Sequence, residues 1–179
     1  DDVKTAYINQ LKYFMNQIIT MDNIIDNIQA EMVPHLFYSL VIEGCIEKGL
    51  DFTAGGAIYN YTSPLAVGPI TTADSLTSIK KLIFDDKLLS MDELINAIDN
   101  NFINFESIQS MLIRKSPKFG NDDDYADEQA KFVIKSFCDS MKDYKNPRGG
   151  SFVPAVYSLT GNVGFGWRTG PTPDGRKGG

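Results

Sequence analysis

The sequence has 179 residues, of which 42% are hydrophobic and 22% charged, enough apolar material for one globular domain or a large slice of a bigger one. Lys and Arg total 17 against 23 for Asp and Glu, giving a net charge of −6 and a pI near 4.7, opposite in sign to a nucleic-acid-binding surface. No apolar run reaches the ~20 residues that span a bilayer and no basic-then-apolar leader opens the chain, so no membrane insertion or secretion is expected. Cys45 and Cys138 lie far apart in apolar patterns without paired spacing, which reads as reduced, buried thiols of a cytoplasmic protein.

From Val3 to about Met32, apolar residues recur at three- and four-residue steps (Val3, Tyr7, Leu11, Phe14, Ile18, Ile25, Ile28), predicting one long amphipathic helix or two stacked ones that end before Pro34. A second helix runs from Leu36 through Cys45 and Ile46, with Lys48 in its last turn and Gly49 as C-cap. Asp51 to Gly68 mixes Gly55-Gly56 with Ala57-Ile58-Tyr59-Asn60-Tyr61 and reads as a turn, a short strand and a loop. Thr72 to Phe84 is helical, and Ser90-x-x-Glu93 is a capping box in front of Leu94, Ile95, Ile98 and Phe102. Ser107 to Arg114 is a short helix. Asn121-Asp122-Asp123-Asp124 opens another, whose tail carries Lys131, Lys135 and Lys142 in the order that suits a helix dipole. After Asn146-Pro147-Arg148-Gly149-Gly150, the stretch Phe152 to Phe165 is rich in β-branched and aromatic residues and predicts one or two buried strands, followed by a Gly/Pro loop to Gly179. The class is α/β with helices dominant: 1–145 mainly helical, 146–179 strand and loop.

Each chemical motif has a plain reading. The triple acid at 122–124 lacks the alternate ligands, Gly and distant Glu of a calcium loop, and suits a helix N-terminus. Arg148-Gly149-Gly150 in an acidic chain reads as a turn. Asn60-Tyr61-Thr62 matches a glycosylation acceptor by chance, and Gly161-x-x-Gly164-x-Gly166 lacks the strand-turn-helix context of a phosphate loop. His35, the single histidine, has no second ligand at metal spacing, so no metal site is expected. Cys45 and Glu47 form a Cys-x-Glu sequence, but residues two apart on a helix point to different faces, so Cys45 reads as a packed core residue.

Several of these pieces line up with one family in order. Glu43-Gly44-Cys45-Ile46-Glu47-Lys48-Gly49, then Gly55-Gly56-Ala57-x-Tyr59-Asn60, Ala73-Asp74-Ser75-Leu76, Pro117-Lys118-Phe119-Gly120-Asn121-Asp122-Asp123 and Thr172-Pro173-Asp174-Gly175-Arg176 resemble the second half of glycyl radical enzymes of the pyruvate formate-lyase superfamily. The resemblance covers essentially the whole chain. It implies that residues 1–179 are a single helix-rich, internal segment of a ten-stranded α/β barrel, in which a glycyl radical on a C-terminal loop generates a thiyl radical on a central loop. The family's thiyl loop lies before such a segment and its glycyl loop, built around Arg-Val-x-Gly, lies after it. No such pattern occurs in these residues, so no catalytic residue is expected in this chain and the segment alone is expected to be inactive.

Asn146-Pro147-Arg148-Gly149-Gly150 and Val156-Tyr157-Ser158-Leu159-Thr160-Gly161-Asn162-Val163 look most like the dehydratase and eliminase branch, a lyase cleaving C–O or C–N bonds, ahead of C–C cleavage by a formate acetyltransferase or decarboxylase. By resemblance Tyr157, Thr160 and Asn162 contact a small-molecule substrate. Strand alternation would place Tyr157, Leu159, Gly161 and Val163 on one side and Val156, Ser158, Thr160 and Asn162 on the other, leaving the substrate side open. A core aromatic with a satisfied hydroxyl is the plain alternative for Tyr157, and a local ion pair bracing the loop is that for Asp174 and Arg176. The resemblance further implies a glycyl radical cofactor in the parent enzyme, installed by a radical S-adenosylmethionine iron-sulfur activating enzyme, a homodimer, and the remainder of the barrel as partner. A reading from another class is a free-standing, non-catalytic helical binding module or truncated paralogue, which would cover the apolar stripe of its first helix itself.

Overall fold

The computed structural model describes residues 2–179 and divides into two compact units. The first comprises Asp1–Ala66 and Ser136–Val156, the second Val67–Lys135 and Tyr157–Gly179. Among the described residues there is no regular strand, and the fold is helical with irregular connections.

In the first unit the 3.6-residue pattern produces a single uninterrupted helix, α1 (Asp2–Met32), not two. It stops where Pro34 removes a donor and pushes the preceding residue out of the helical region. Met15 and Ile19 on α1 are buried against Phe137, Met141 and Phe152, and Leu11 and Ala66 pack on that cluster. Two one-turn helices come next, α2 (Leu36–Ser39) and α3 (Cys45–Lys48). Gly49 ends α3 in the left-handed region at φ 64°, its N–H capping the Cys45 and Ile46 carbonyls as the Lys48-Gly49 signature predicts.

Phe152 to Phe165 departs from the predicted strands. Residues 62–66 and 151–155 run parallel and are joined only by isolated bridges, Thr62 with Phe152 and Leu65 with Ala155. Val153 donates to Thr62 O at 2.9 Å and Ala66 to Ala155 O at 3.0 Å, but Pro64 and Pro154 have no N–H to extend a ladder. Beyond Ala155 the pairing ends, and Asn162–Arg168 is helical (α8), so the predicted alternation of faces does not apply there.

In the second unit α4 (Pro69–Ser78) begins three residues earlier than Thr72, with Pro at its start, and runs directly into a π-helical stretch, Ile79–Asp85. The i→i+5 spacing of that stretch brings Lys80 to Asp85 at 2.8 Å and Lys81 to Asp86 at 3.0 Å, pairs that an α-helix would place on different faces. The capping box of α5 (Met91–Asp99) forms as predicted: Glu93 N–H donates to Ser90 Oγ at 3.2 Å, and Ser90 N–H to Glu93 Oε2 at 2.8 Å. Leu82, Leu94, Phe102 and Leu112, the last from α6 (Glu106–Arg114), are fully buried in one core.

The unit boundary falls within α7 (Asp124–Asp139), whose first turn is acidic and whose Tyr125 N–H donates to Asp123 Oδ1 at 2.9 Å, so the triple acid is a helix start. Its last turn carries no basic residue. Lys131 lies inside the helix, paired with Glu128 at 3.0 Å, and Lys142 lies beyond its end, so these cations do not serve the dipole as predicted.

Phe102 fills the centre of the second unit's core from the left-handed region, at φ 58°. Phe102→Ala is expected to cost about 3–5 kcal/mol, read as a lower urea midpoint for loss of helical circular dichroism.

Candidate functional site

The turn Asn146–Gly150 organises the first unit. The Arg148 guanidinium donates from Nε to Asp26 Oδ2 at 3.1 Å and from Nη2 to Thr62 Oγ1 at 2.9 Å and Tyr61 O at 3.3 Å. Asp26 and Arg148 side chains are only 13% and 16% exposed, so the pair is held largely out of water. Asn146 completes the junction: its Nδ2 donates to Asn60 O and to Thr62 Oγ1 at 2.9 Å, and its Oδ1 accepts from Gly150 N–H at 2.8 Å. Gly150 is required because a Cβ there would overlap the Asn60 carbonyl. Thus Gly55-Gly56-x-x-x-Asn60 and Asn146-x-Arg148-Gly149-Gly150, distant in sequence, meet at one place.

A second network lies under α2 and α3. Asp51 accepts from Ser39 Oγ at 2.7 Å, Thr53 N–H at 2.9 Å and Thr53 Oγ1 at 2.5 Å, and Ser39 Oγ accepts from Phe52 N–H at 3.0 Å. Desolvation pushes this carboxyl up, but hydrogen bonds from Thr53 and Ser39 side chains and from the Thr53 and His35 backbone outweigh it and hold it at about 2. Cys45 is 3% exposed and packs where Gly56 leaves room for its Sγ, as expected of a core thiol. Glu47 turns away to accept from Gly44 N–H at 3.1 Å, so thiol and carboxylate do not converge. His35 stacks on Phe52 with centroids 5.6 Å apart, and no cluster of metal-ligating side chains occurs among the described residues. Cys45 is buried, and Cys138 sits half-buried within α7.

In the second unit, Tyr157, Thr160 and Asn162 are brought close only as an exposed run leading into α8, Tyr157 being 63% exposed. The segment after α8 is tied down. Arg176 donates to Gly166 O at 2.7 Å, Gly170 O at 2.9 Å and Thr169 O at 3.2 Å, closing the C-terminal end of α8. The predicted Asp174–Arg176 ion pair is absent among the described residues. Asp174 Oδ1 is occupied by Thr172 Oγ1 at 2.5 Å and the Arg176 N–H at 3.2 Å, a local turn that leaves the guanidinium to the carbonyls. Asn101 and Gln109 bond Gly178 and Gly175, while Lys118 Nζ donates to Asp174 O at 3.2 Å and Ser78 Oγ at 3.1 Å. Burial pushes the Lys118 ammonium down, and the Asp74 and Asp174 charges oppose it. The Gly/Pro loop is therefore a braced structure.

The Arg148 and Lys118 networks went unread in sequence because their partners are separated by up to 122 positions and follow no periodicity. The one available signal was glycine pairs flanking Asn60 and Arg148, which mark close backbone approach.

The sequence matches the family model for pyruvate formate lyase-like proteins over residues 1–166. The chain belongs to the pyruvate formate lyase-like family. It is 41% identical over 178 residues to the (2S)-3-sulfopropanediol dehydratase of Klebsiella oxytoca, covering 99% of this chain and 22% of that protein. Among solved structures, the glycerol-bound B12-independent glycerol dehydratase from Clostridium butyricum aligns with TM-score 0.92 and 42% identity, over 98% of this chain and 22% of that one. A glycyl radical enzyme from Archaeoglobus fulgidus aligns with TM-score 0.87 and 38% identity, over 96% of this chain and 22% of that one. The chain thus spans about a fifth of the length of these relatives.

Removing Arg148 strands Asp26 in a poorly hydrated place, so Arg148→Ala is expected to destabilise by about 3 kcal/mol in chemical denaturation. Arg148→Lys should recover little, since one ammonium cannot reproduce the fork that serves three acceptors. Asp51 has its carboxyl depressed to about 2, so its stabilisation is complete above the unfolded value of about 4 and fades as pH falls towards 2. Asp51→Asn should flatten the loss of thermal stability across that acid range and lower stability at neutral pH.

Proposed function

We propose that residues 1–179 are one wall segment of the α/β barrel of a glycyl radical enzyme that dehydrates or otherwise eliminates from a small hydroxylated substrate. The carrying observation is the 42% identity and 0.92 TM-score to a glycerol dehydratase over nearly the whole chain, supported by the 41%-identical sulfopropanediol dehydratase. In this reading the glycyl radical and the thiyl radical belong to other parts of the parent polypeptide, and a radical S-adenosylmethionine activating enzyme installs the former. The segment supplies Tyr157, Thr160 and Asn162 as substrate contacts. Their exposure and the bracing of the adjoining loop by Arg176, Gln109 and Lys118 support this, because a polar contact run needs a rigid support to hold its geometry. The parent is read as a cytoplasmic homodimer. The exposed apolar residues of α1 weigh against a free-standing module.

The test uses the full-length parent, activated without oxygen and assayed on glycerol and (2S)-3-sulfopropanediol as probes. An organic radical signal in electron paramagnetic resonance and consumption of either probe are expected. Tyr157→Phe should then lower turnover by about tenfold or more with unchanged melting temperature. Unchanged turnover would end the assignment of Tyr157, and a full-length protein that forms no radical would end the enzyme reading itself.

A further inference from the structure

Helix α1 carries two apolar faces. One is taken up by its own unit, with Leu11, Met15 and Ile19 packed on Phe137, Met141 and Phe152. The other consists of Phe14, Ile18, Met21, Ile25, Ile28 and Met32, separated by steps of four, three, four, three and four, and each is between 36% and 74% exposed. That step pattern is the seam of 3-4 helix packing, in which a second helix crosses at about 20°. The seam extends over about 27 Å at 1.5 Å per residue.

A helix apolar on both faces belongs inside a larger protein or a membrane. A membrane span is excluded among the described residues, since no helix is long and apolar enough. Binding flat on a lipid surface requires basic residues beside the apolar face, whereas α1 carries Asp22, Asp26 and Glu31 and no Lys or Arg after Lys12. Asp26 is already engaged by Arg148, which leaves Asp22 and Glu31 beside the seam. The relatives are between four and five times longer than the part this chain matches, so a covering element is available within one polypeptide.

We propose that the seam Phe14–Met32 is the docking face for an amphipathic helix with basic flanks, contributed by a part of the same full-length polypeptide outside these 179 residues. This rests on the reading that the chain is part of a longer enzyme. The occupant presents apolar residues at alternating three- and four-residue steps over about five turns, with Lys or Arg facing Asp22 and Glu31. The contact is made within one polypeptide, so it persists on dilution.

The test places a cysteine at Met21 or, separately, at Ile25, and follows maleimide labelling by peptide mass spectrometry in the 179-residue chain and in the full-length protein. Both sites are expected to label readily in the short chain. In the full-length protein both should label slower by at least about 100-fold at every concentration, because reaction then needs a local opening. Fast labelling in the full-length protein would overturn the proposal. So would protection that disappears on dilution as the oligomer dissociates, which would make a second copy the occupant. The intact mass of the native gene product separates the two failures: a mass near 19.9 kDa removes the longer-enzyme reading, while a larger mass with a reactive seam removes only the docking assignment. A melt of each variant in the short chain controls for misfolding, and two sites are used so that one poorly tolerated cysteine does not decide the outcome.

Discussion

The first unit depends on a single guanidinium. Arg148 binds a helix carboxylate, a threonine hydroxyl and a backbone carbonyl at once, and its partners come from α1 and from residues 61–62. An ammonium holds its three N–H groups on one atom, while the planar fork spreads five over three nitrogens and here uses both Nε and Nη2. Because the Asp26–Arg148 pair is mostly shielded, neither member can be lost without leaving an uncompensated charge. The same constraint accounts for the glycines that crowd the junction. Gly150 lets the turn approach Asn60, and Gly56 lets its segment approach the Leu50 carbonyl, so that the polar groups reach one another.

The second unit solves a similar problem differently. Its Gly/Pro tail cannot form regular structure, yet Asn101, Gln109, Lys118 and Arg176 satisfy its backbone from the side. These bonds replace the ladder that a strand would have supplied. The result is an irregular backbone held in place, with polar groups at angles that helices and strands do not offer.

The exposed apolar seam and the braced run from Tyr157 to Gly179 differ in kind. The seam is wide, regular and apolar, and its chemistry is that of packing. The run is mixed, with Tyr157, Thr160 and Asn162 exposed beside the apolar Val163, Phe165 and Trp167.

Periodicity and capping chemistry are local, and they determined α1, the Ser90–Glu93 box, the acidic start of α7, the Gly49 cap and the burial of Cys45. The ordered signatures from Gly44 to Arg176 also determined the family. The π-helical stretch, the short parallel pairing that stops at Ala155, the helical state of Asn162–Arg168 and the partners of Arg148, Lys118 and Arg176 were decided by tertiary structure. The reason is physical: β-branched and aromatic residues favour a strand only where a neighbour offers a ladder, and a charged side chain chooses among acceptors that the chain brings together only after folding.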